Sequence, residues 1–598
     1  MSKWNMYTTN EIKPAGWLLN QLKLQAQGLN GNLDKVWKDV KDSAWIGGSA
    51  EGWERVPYWL DGFVPLAYLL EDEDMISRAK KYIDAILASQ NEDGWICPCK
   101  KEERPKYDSW AVQLIAKVLV VYYECSKDER IPDAVYRILK NYYELLKNKE
   151  ISLFEWGKFR WYESFIAINF IYSRCKEEWL LELAKILKEQ GADYMELTSL
   201  WERPLNFWRL ETHIDNSAMS LKYEAVSYEL LGEEYKGFAD KLYETLYKFN
   251  GTPLGNFTGD ECLSGVSPIQ GTELCAVAEQ MYSYALLFAN SGERKWLDRL
   301  EKLAFNALPA TISEDMWSHQ YVQQSNQIAC IKFPGKPVFR TNGQESHLFG
   351  LEPNYGCCTA NFGQAWPKFA TALFMHNGNK VINTVPVSAT LNDGIRNIEV
   401  NSNYPFENKI NYKIFTKEDL EFTVNFPEGA KNITVNGKES PPTFAIKANE
   451  VTKLNIVFET DLSFEKANSG MYFAKKGSLI FSVPIEYELR MLEYERDGIE
   501  RKFPYCDYEL LPKSNWEYAY VSLKEPSFNG IGEIPFSLKE APVTIKAICA
   551  PVNWGYEDGY DTVCAKYPQS NIHVGKEEEI TLVPYGCAKL RMTELPLL

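Results

Sequence analysis

The chain has 598 residues, 45% hydrophobic and 25% charged, with a formal net charge of −17. That length exceeds one core and calls for two to four domains. The acidic balance argues against a nucleic-acid partner, because phosphate binding needs a basic surface, and no apolar run is long enough to span a membrane. The 18 Trp, 35 Tyr and 29 Phe supply either a large aromatic core or faces that stack on sugar rings. The segment Met1–Asn10 has no apolar h-region, so a cytoplasmic location is expected. The 13 cysteines, an odd number at irregular spacing, do not read as a disulfide framework.

Helices in pairs are predicted through the first two thirds. A helix over Ala15–Gln27 comes first. Val56–Leu70 then meets the turn Glu71-Asp-Glu-Asp74 and Met75–Leu87, where Ile76, Ala79, Ile83 and Ile86 form one stripe. The pattern recurs in Trp110–Tyr123 with Ile131–Leu146, and in Glu163–Ser173 with Leu180–Lys188. Met219–Leu231 with Phe238–Tyr247, and Met281–Ala289 with Trp296–Ala307, continue it. Short polar turns punctuate it about every 50–60 residues, an internal repeat of helical hairpins. A last helix at Asn361–Phe374 brings the total to about twelve. Six hairpins can close into an (α/α)6 toroid whose inner helices ring a funnel; an open solenoid is the alternative.

After residue 378 the texture becomes short, alternating and rich in Val, Ile, Thr and Phe, as in Ile398–Ser402, Lys409–Phe415 and Leu454–Phe458, with Gly and Asn turns. The expected architecture is multidomain α+β. An (α/α)6 toroid occupies 1–377, an antiparallel β-sandwich 378–462, and a second β-rich sandwich domain 463–598. Neither β block carries a cluster of titratable groups, so both are given structural or substrate-lip roles.

Chemistry concentrates at two places. Asn354-Tyr-Gly-Cys-Cys-Thr-Ala-Asn361 holds Cys357 and Cys358, and Gly271-Thr-Glu-Leu-Cys275 holds Glu273 and Cys275. Three thiols and a carboxylate make a full tetrahedral shell for zinc, and a metal-held thiolate is also a nucleophile. Buried inert thiols are the plainer reading. Just upstream, Gly259-Asp-Glu-Cys-Leu-Ser-Gly265 offers Asp260 and Glu261, either a solvated acidic loop or a carboxyl facing a nucleophile across a sugar. Of five histidines, His213 lies just before an apolar helix, at the end where a toroid builds its site. His319 and His347 flank the insertion that ends at the Cys pair. Trp53-Glu-Arg-Val-Pro-Tyr-Trp-Leu-Asp-Gly62 places Trp59 and Asp61 near a helix start, suited to a sugar platform or to a buried aromatic helix.

The segments Trp53–Gly62, Gly259–Gly265, Gly271–Glu279 and Asn354–Phe369 resemble glycoside hydrolase family 127, the β-L-arabinofuranosidase family, and the resemblance extends over the whole chain. It implies a retaining hydrolase with a cysteine nucleophile and one Zn2+ held by a glutamate and three cysteines. Carried over, Cys357 resembles the nucleophile. Glu273, Cys275, Cys357 and Cys358 resemble the zinc shell, and Glu261 the general acid/base, with Asp260 as the competing carboxylate. His213 resembles a substrate-binding histidine, and Trp59, Asp61 and Tyr321 join it as expected substrate contacts. Thr359-Ala-Asn361 stands where founding members carry prolines. The expected substrate is an oligosaccharide with a terminal β-L-arabinofuranosyl or related residue, an aceric-acid-like acidic sugar being an alternative. A homodimer is the open assembly. The rival class is a zinc-stabilised carbohydrate-binding or scaffold protein without turnover; a second is a sugar epimerase or unsaturated-uronide hydrolase on the same toroid.

Overall fold

Two kinds of helix alternate, and their composition sorts them into layers. Arg55–Leu70 and Trp110–Ser126 are buried on nearly every face, whereas Glu73–Ala88 and Ile131–Lys147 bury one apolar stripe. The first kind must lie inside and the second outside. The computed structural model describes residues 3–598 and has this arrangement. The hairpins are Arg55–Leu70 with Glu73–Ala88, Trp110–Ser126 with Ile131–Lys147, and Ser164–Cys175 with Glu178–Gln190. Then come Ile214–Ser220 and Tyr223–Leu231 with Phe238–Asn250, and Leu274–Ser291 with Lys295–Lys302. Glu73–Ala88 starts at Asp72, whose carboxylate accepts the Met75 N–H at 3.0 Å.

Each inner helix packs on the next, and the last, Ala365–Thr371, packs on the first, Arg55–Leu70. The ring is therefore closed. Closure needs a close approach: a Cβ on Gly62 would lie 2.3 Å from the Gly363 carbonyl carbon. Among the described residues no helix is long and apolar enough to cross a membrane.

The chain enters through the first sandwich rather than the toroid. Asn5–Met6 pairs antiparallel with Phe374–Asn377, and Ile12–Pro14 with Ala389–Asn392. The expected helical unit 1–377 thus begins with two strands of its neighbour, too short to show a period of two. The sandwich has a five-stranded sheet, with one parallel pair between Leu420–Val424 and Lys380–Asn383, and a seven-stranded sheet. Alternation drives it: Val451–Glu459 turns Leu454, Ile456 and Phe458 inward. The second block is a larger sheet centred on Leu479–Pro484, Glu578–Pro584 and Val543–Asn553. Its strand Arg591–Met592 pairs with Asn326–Gln327 of the insertion between the last two inner helices.

One buried carboxyl sits where toroid and β region meet. Glu301 accepts hydrogen bonds from Ser478 (2.6 Å) and Tyr404, and burial pushes it up to about 8. The folded protein keeps this proton up to about pH 8, whereas an unfolded carboxyl loses it near 4.5. Stability contributed by the protonated form is therefore lost as pH rises between those values, by at most about 1.4 kcal/mol per pH unit. Glu301→Gln should flatten the fall in urea stability between pH 6 and pH 8; an unchanged slope refutes this assignment.

Candidate active site

Glu273 and Cys275 stand two residues apart, a spacing that cannot share a helix face. The backbone resolves this. Glu273 closes the two-residue strand Thr272–Glu273, paired with Val322–Gln323, at φ −67° and ψ 136°, and the helix Leu274–Ser291 starts after it. Cys357 and Cys358 open the helix Cys357–Asn361. One ligand atom from each of Glu273, Cys275, Cys357 and Cys358 lies within 4.8 Å of the others. The Cys275 N–H reaches Cys358 Sγ at 3.4 Å, and Tyr321 Oη lies 2.9 Å from Cys357 Sγ and donates to Glu273 Oε1 at 3.3 Å.

The donor set fits a soft or borderline dication. Hydrogen bonds from Cys275 and Cys358 hold Cys357 well below the usual thiol range, helped by Arg55 and Tyr321 against burial. Burial pushes Cys275, Cys358 and Glu273 up. Glu273 Oε2 is buried without a hydrogen-bond partner among the described residues. Three sulfurs crowded in a low-dielectric site with an orphaned carboxyl oxygen have the composition of a tetrahedral zinc ligand set, and a cation there would favour their deprotonated forms. A second grouping, His213, Glu261 and Glu273, is also compact. It fits less well: His213 Nδ1 accepts the Asn216 N–H at 3.4 Å, which leaves Nε2–H to donate to Glu261 Oε2 at 3.1 Å.

Of the three thiols only Cys357 opens to the cavity, a cleft of about 370 Å³ that Glu261, Glu273, His213 and Tyr321 also line. Cys358 is fully buried. The two carboxylates of the acidic loop separate here. Asp260 faces inward, accepting the Ser264 hydroxyl and the Thr341 N–H (3.1 Å), and is fully buried. Glu261 faces the cavity and accepts N–H groups from His213, Trp208 (3.3 Å) and Asn342 (3.4 Å).

Trp59 and Asp61 are not cavity residues, which corrects the sugar-platform expectation. Both are fully buried; the Trp59 indole donates to the Asn30 carbonyl at 2.9 Å and stacks on Phe63, and Asp61 pairs with Lys117 and Lys368. Trp53, Glu54 and Arg55 of the same segment line the cavity instead. His319 and His347 are also core residues: His319 bonds Thr359 at 3.0 Å and His347 stacks on Phe333.

A profile of the β-L-arabinofuranosidase GH127 catalytic domain matches residues 20–371, more than half of the chain. The chain belongs to the GH127 β-L-arabinofuranosidase family. A GH127 β-L-arabinofuranosidase from Geobacillus stearothermophilus T6 is similar over 100% of both chains, at 13% identity and a TM-score of 0.69. A second solved GH127 β-arabinofuranosidase is similar at 12% identity and 0.67, over 100% of this chain and 98% of its own. No curated protein sequence matches.

The GH127 cavity holds further groups that no motif announced. Arg160 donates to Asp215 (2.9 Å), Asn216 (2.8 Å) and Tyr58 (2.7 Å), all buried. Burial pushes Asp215 up to about 7 against the Arg160 charge, and its Oδ1 has no hydrogen-bond partner among the described residues. Trp156 packs edge-on against both His213 and Trp208. The only signal in the sequence was lone charge beside aromatic and small residues, Arg160 between Phe159 and Trp161 and Asp215 in Ile214–Ser220.

Asp260→Asn should destabilise the protein by about 1–3 kcal/mol, since an amide cannot accept both donors that Asp260 accepts. Limited proteolysis near Thr341 should accelerate, while Glu261→Gln, whose carboxyl opens to the cavity where water can meet the amide hydrogens, should change melting and proteolysis less. Equal behaviour of the two variants contradicts the separation of roles.

Proposed function

We propose that this glycosidase is a zinc-dependent retaining enzyme that removes terminal β-L-arabinofuranosyl residues, or close furanosyl relatives, from oligosaccharides. The carrying observation is that Cys357 alone among the clustered thiols faces the cavity that Glu261 also faces. Glu273, Cys275, Cys357 and Cys358 would hold the zinc, which when bound keeps the cysteine sulfurs deprotonated at neutral pH. Tyr321 and Arg55 orient and balance the Cys357 thiolate.

In the first step Cys357 Sγ attacks the anomeric carbon as the bond to the leaving oxygen breaks, and Glu261 gives that oxygen its proton. Glu261, now a carboxylate, takes a proton from water. The water oxygen attacks the same carbon, the C–S bond breaks, and the electron pair returns to sulfur. Two displacements restore the anomeric configuration. His213, Trp208 and Asn342 fix the Glu261 carboxyl for both transfers. Trp208, 45% exposed, offers an aromatic face that suits a sugar ring. A free thiolate oxidises readily, so a reducing compartment suits the enzyme.

Metal analysis of protein purified without chelator should give ~1 zinc per chain; a content near zero sinks the zinc assignment. Purified enzyme should hydrolyse an aryl β-L-arabinofuranoside, and Glu261→Gln should lower turnover ~10²–10⁴-fold with zinc retained. Loss confined to Asp260→Asn would move the proton transfer to that residue. No hydrolysis across a panel of aryl furanosides favours the binding-protein reading.

A further inference from the structure

Six charged side chains meet on the toroid axis beneath the cleft, and the mechanism uses none of them. Asp61, Lys117, Glu163, Lys222 and Glu279 have fully buried side chains, and Lys368 is nearly so. Each comes from a different inner helical segment, and the signs alternate around the ring. Lys117 lies 3.1 Å from Asp61 and 3.3 Å from Glu163. Lys222 lies 2.6 Å from Glu163 and 3.5 Å from Glu279. Gln364 donates to Glu279 at 2.8 Å and accepts from Lys368 at 2.5 Å, and Lys368 reaches Asp61 at 2.6 Å. The circuit is closed and its net charge is zero. Tyr282 lies under it, its ring centroid 4.0–5.5 Å from all three ammonium groups. Beyond Tyr282 lies a separate cavity of about 490 Å³ at the far end of the toroid.

The spacing to the cleft is regular. Asp61 follows Glu54 by seven residues, Lys117 follows Trp110 by seven and Glu163 follows Arg160 by three. Lys222 follows Asp215 by seven, Glu279 follows Cys275 by four and Gln364 follows Cys357 by seven. Steps of three, four and seven keep one helix face. Every inner segment thus carries a ring member one or two turns below a group of the cleft or, for Cys275, of the thiol cluster behind it and, for Trp110, below the donor to Glu54 at 2.9 Å. A rotation of any inner helix that moved its cleft group would break its ring contacts. Against the burial that would raise it, the charges of Lys117 and Lys222 hold Glu279 down at about 2, in keeping with an ionised circuit.

We infer that the ring is a positioning element: it fixes the rotational phase of the six inner helical segments and thereby aims Glu54, Arg160, Asp215 and Cys357 at one cleft and Cys275 at the thiol cluster behind it. This rests on the proposed reaction only for its kinetic readout. Removing one member strands a buried charge, so the test removes neutral pairs. The paired variant Lys222→Met/Glu279→Gln leaves two positive and two negative members. A second pair, Asp61→Asn/Lys368→Met, probes the opposite side.

Two readouts are taken on purified full-length protein: alkylation of thiols by iodoacetamide with peptide mapping, and kcat on an aryl β-L-arabinofuranoside. Parent protein should be labelled in the cleft at Cys357 and not at Cys275 or Cys358. Both paired variants should melt within a few degrees of the parent, gain labelling at Cys275 or Cys358, and lose at least tenfold in kcat. Unchanged labelling with kcat within twofold overturns the inference. So does a failure of both pairs to fold, which makes the ring a stability element. If the parent itself has no activity, the proposed reaction fails, and the labelling map still decides the role of the ring.

Discussion

Closure of the inner helices is the constraint on which the site depends. Glu273 and Cys275 stand at the start of one inner helix, Cys357 and Cys358 at the start of the next, and Glu54 and Arg55 at the start of the first. They share a cleft because the last segment packs back on Arg55–Leu70. That contact is backbone against backbone at Gly62 and Gly363, and each glycine fills a place no side chain fits: a Cβ on Gly363 would meet Asn30 Nδ2 at 1.9 Å. Alanine is the better helix former by about 1 kcal/mol, so glycine at 62 costs local stability and returns it as ring closure.

With the helix starts gathered at one end, the electrostatics of the cleft follow. Helix N-termini carry partial positive charge and favour anionic groups. Cys275 sits in the first turn of Leu274–Ser291, and Cys357 at the first position of its helix. The dipole favours a thiolate at both, but at Cys275 burial outweighs it, whereas Cys357 is held low. Arg55 beside Cys357 offsets part of the cost of crowding them, and the donor set fits a metal ion that would offset the rest. Asp215 takes the opposite path. Its partner Arg160 is shared with Asn216 and Tyr58, and burial dominates, so it sits near neutrality in its proton affinity.

Much of this was legible in the sequence, and the omissions have physical reasons. The helical hairpins were readable because the outer helices must show one face to water, which imprints the 3.6 period; Ile76, Ala79, Ile83 and Ile86 are an example. The thiol cluster was readable from residue type. What failed was rotational phase on inner helices. An inner helix is apolar all round, so nothing local says which residues face the axis, the cleft or a neighbour. Trp59 and Asp61 looked like cleft residues for that reason, while Glu54 and Arg55, a turn earlier, line it. The strands Asn5–Met6 and Ile12–Pro14 were illegible for another reason: two or three residues cannot show a period, and their partners lie 369–379 residues away. Lone charges inside apolar helices, such as Lys117 and Glu279, were visible but carry no motif.

The second β block owes its place to the insertion at 311–356. This stretch carries Tyr321, Thr341 and Tyr355 to the cleft, and Asn342 to Glu261, with little regular structure of its own. Buried irregular backbone must find hydrogen-bond partners outside itself. Here they come from the C-terminal strands. The backbone of Asn326–Gln327 pairs with Arg591–Met592, and Arg591 donates to the Gln324 carbonyl at 2.8 Å, while in return Asn326 Oδ1 accepts the N–H groups of Thr593 and Glu594, each at 2.9 Å. The Gln327 amide donates to the Lys589 carbonyl at 2.7 Å, and Cys330 and Phe349 form β-bridges with Leu510 and Tyr508. No residue of either β block lines the cleft. The block acts on the site through the backbone it satisfies, in the loop that holds Tyr321 Oη 2.9 Å from the Cys357 sulfur.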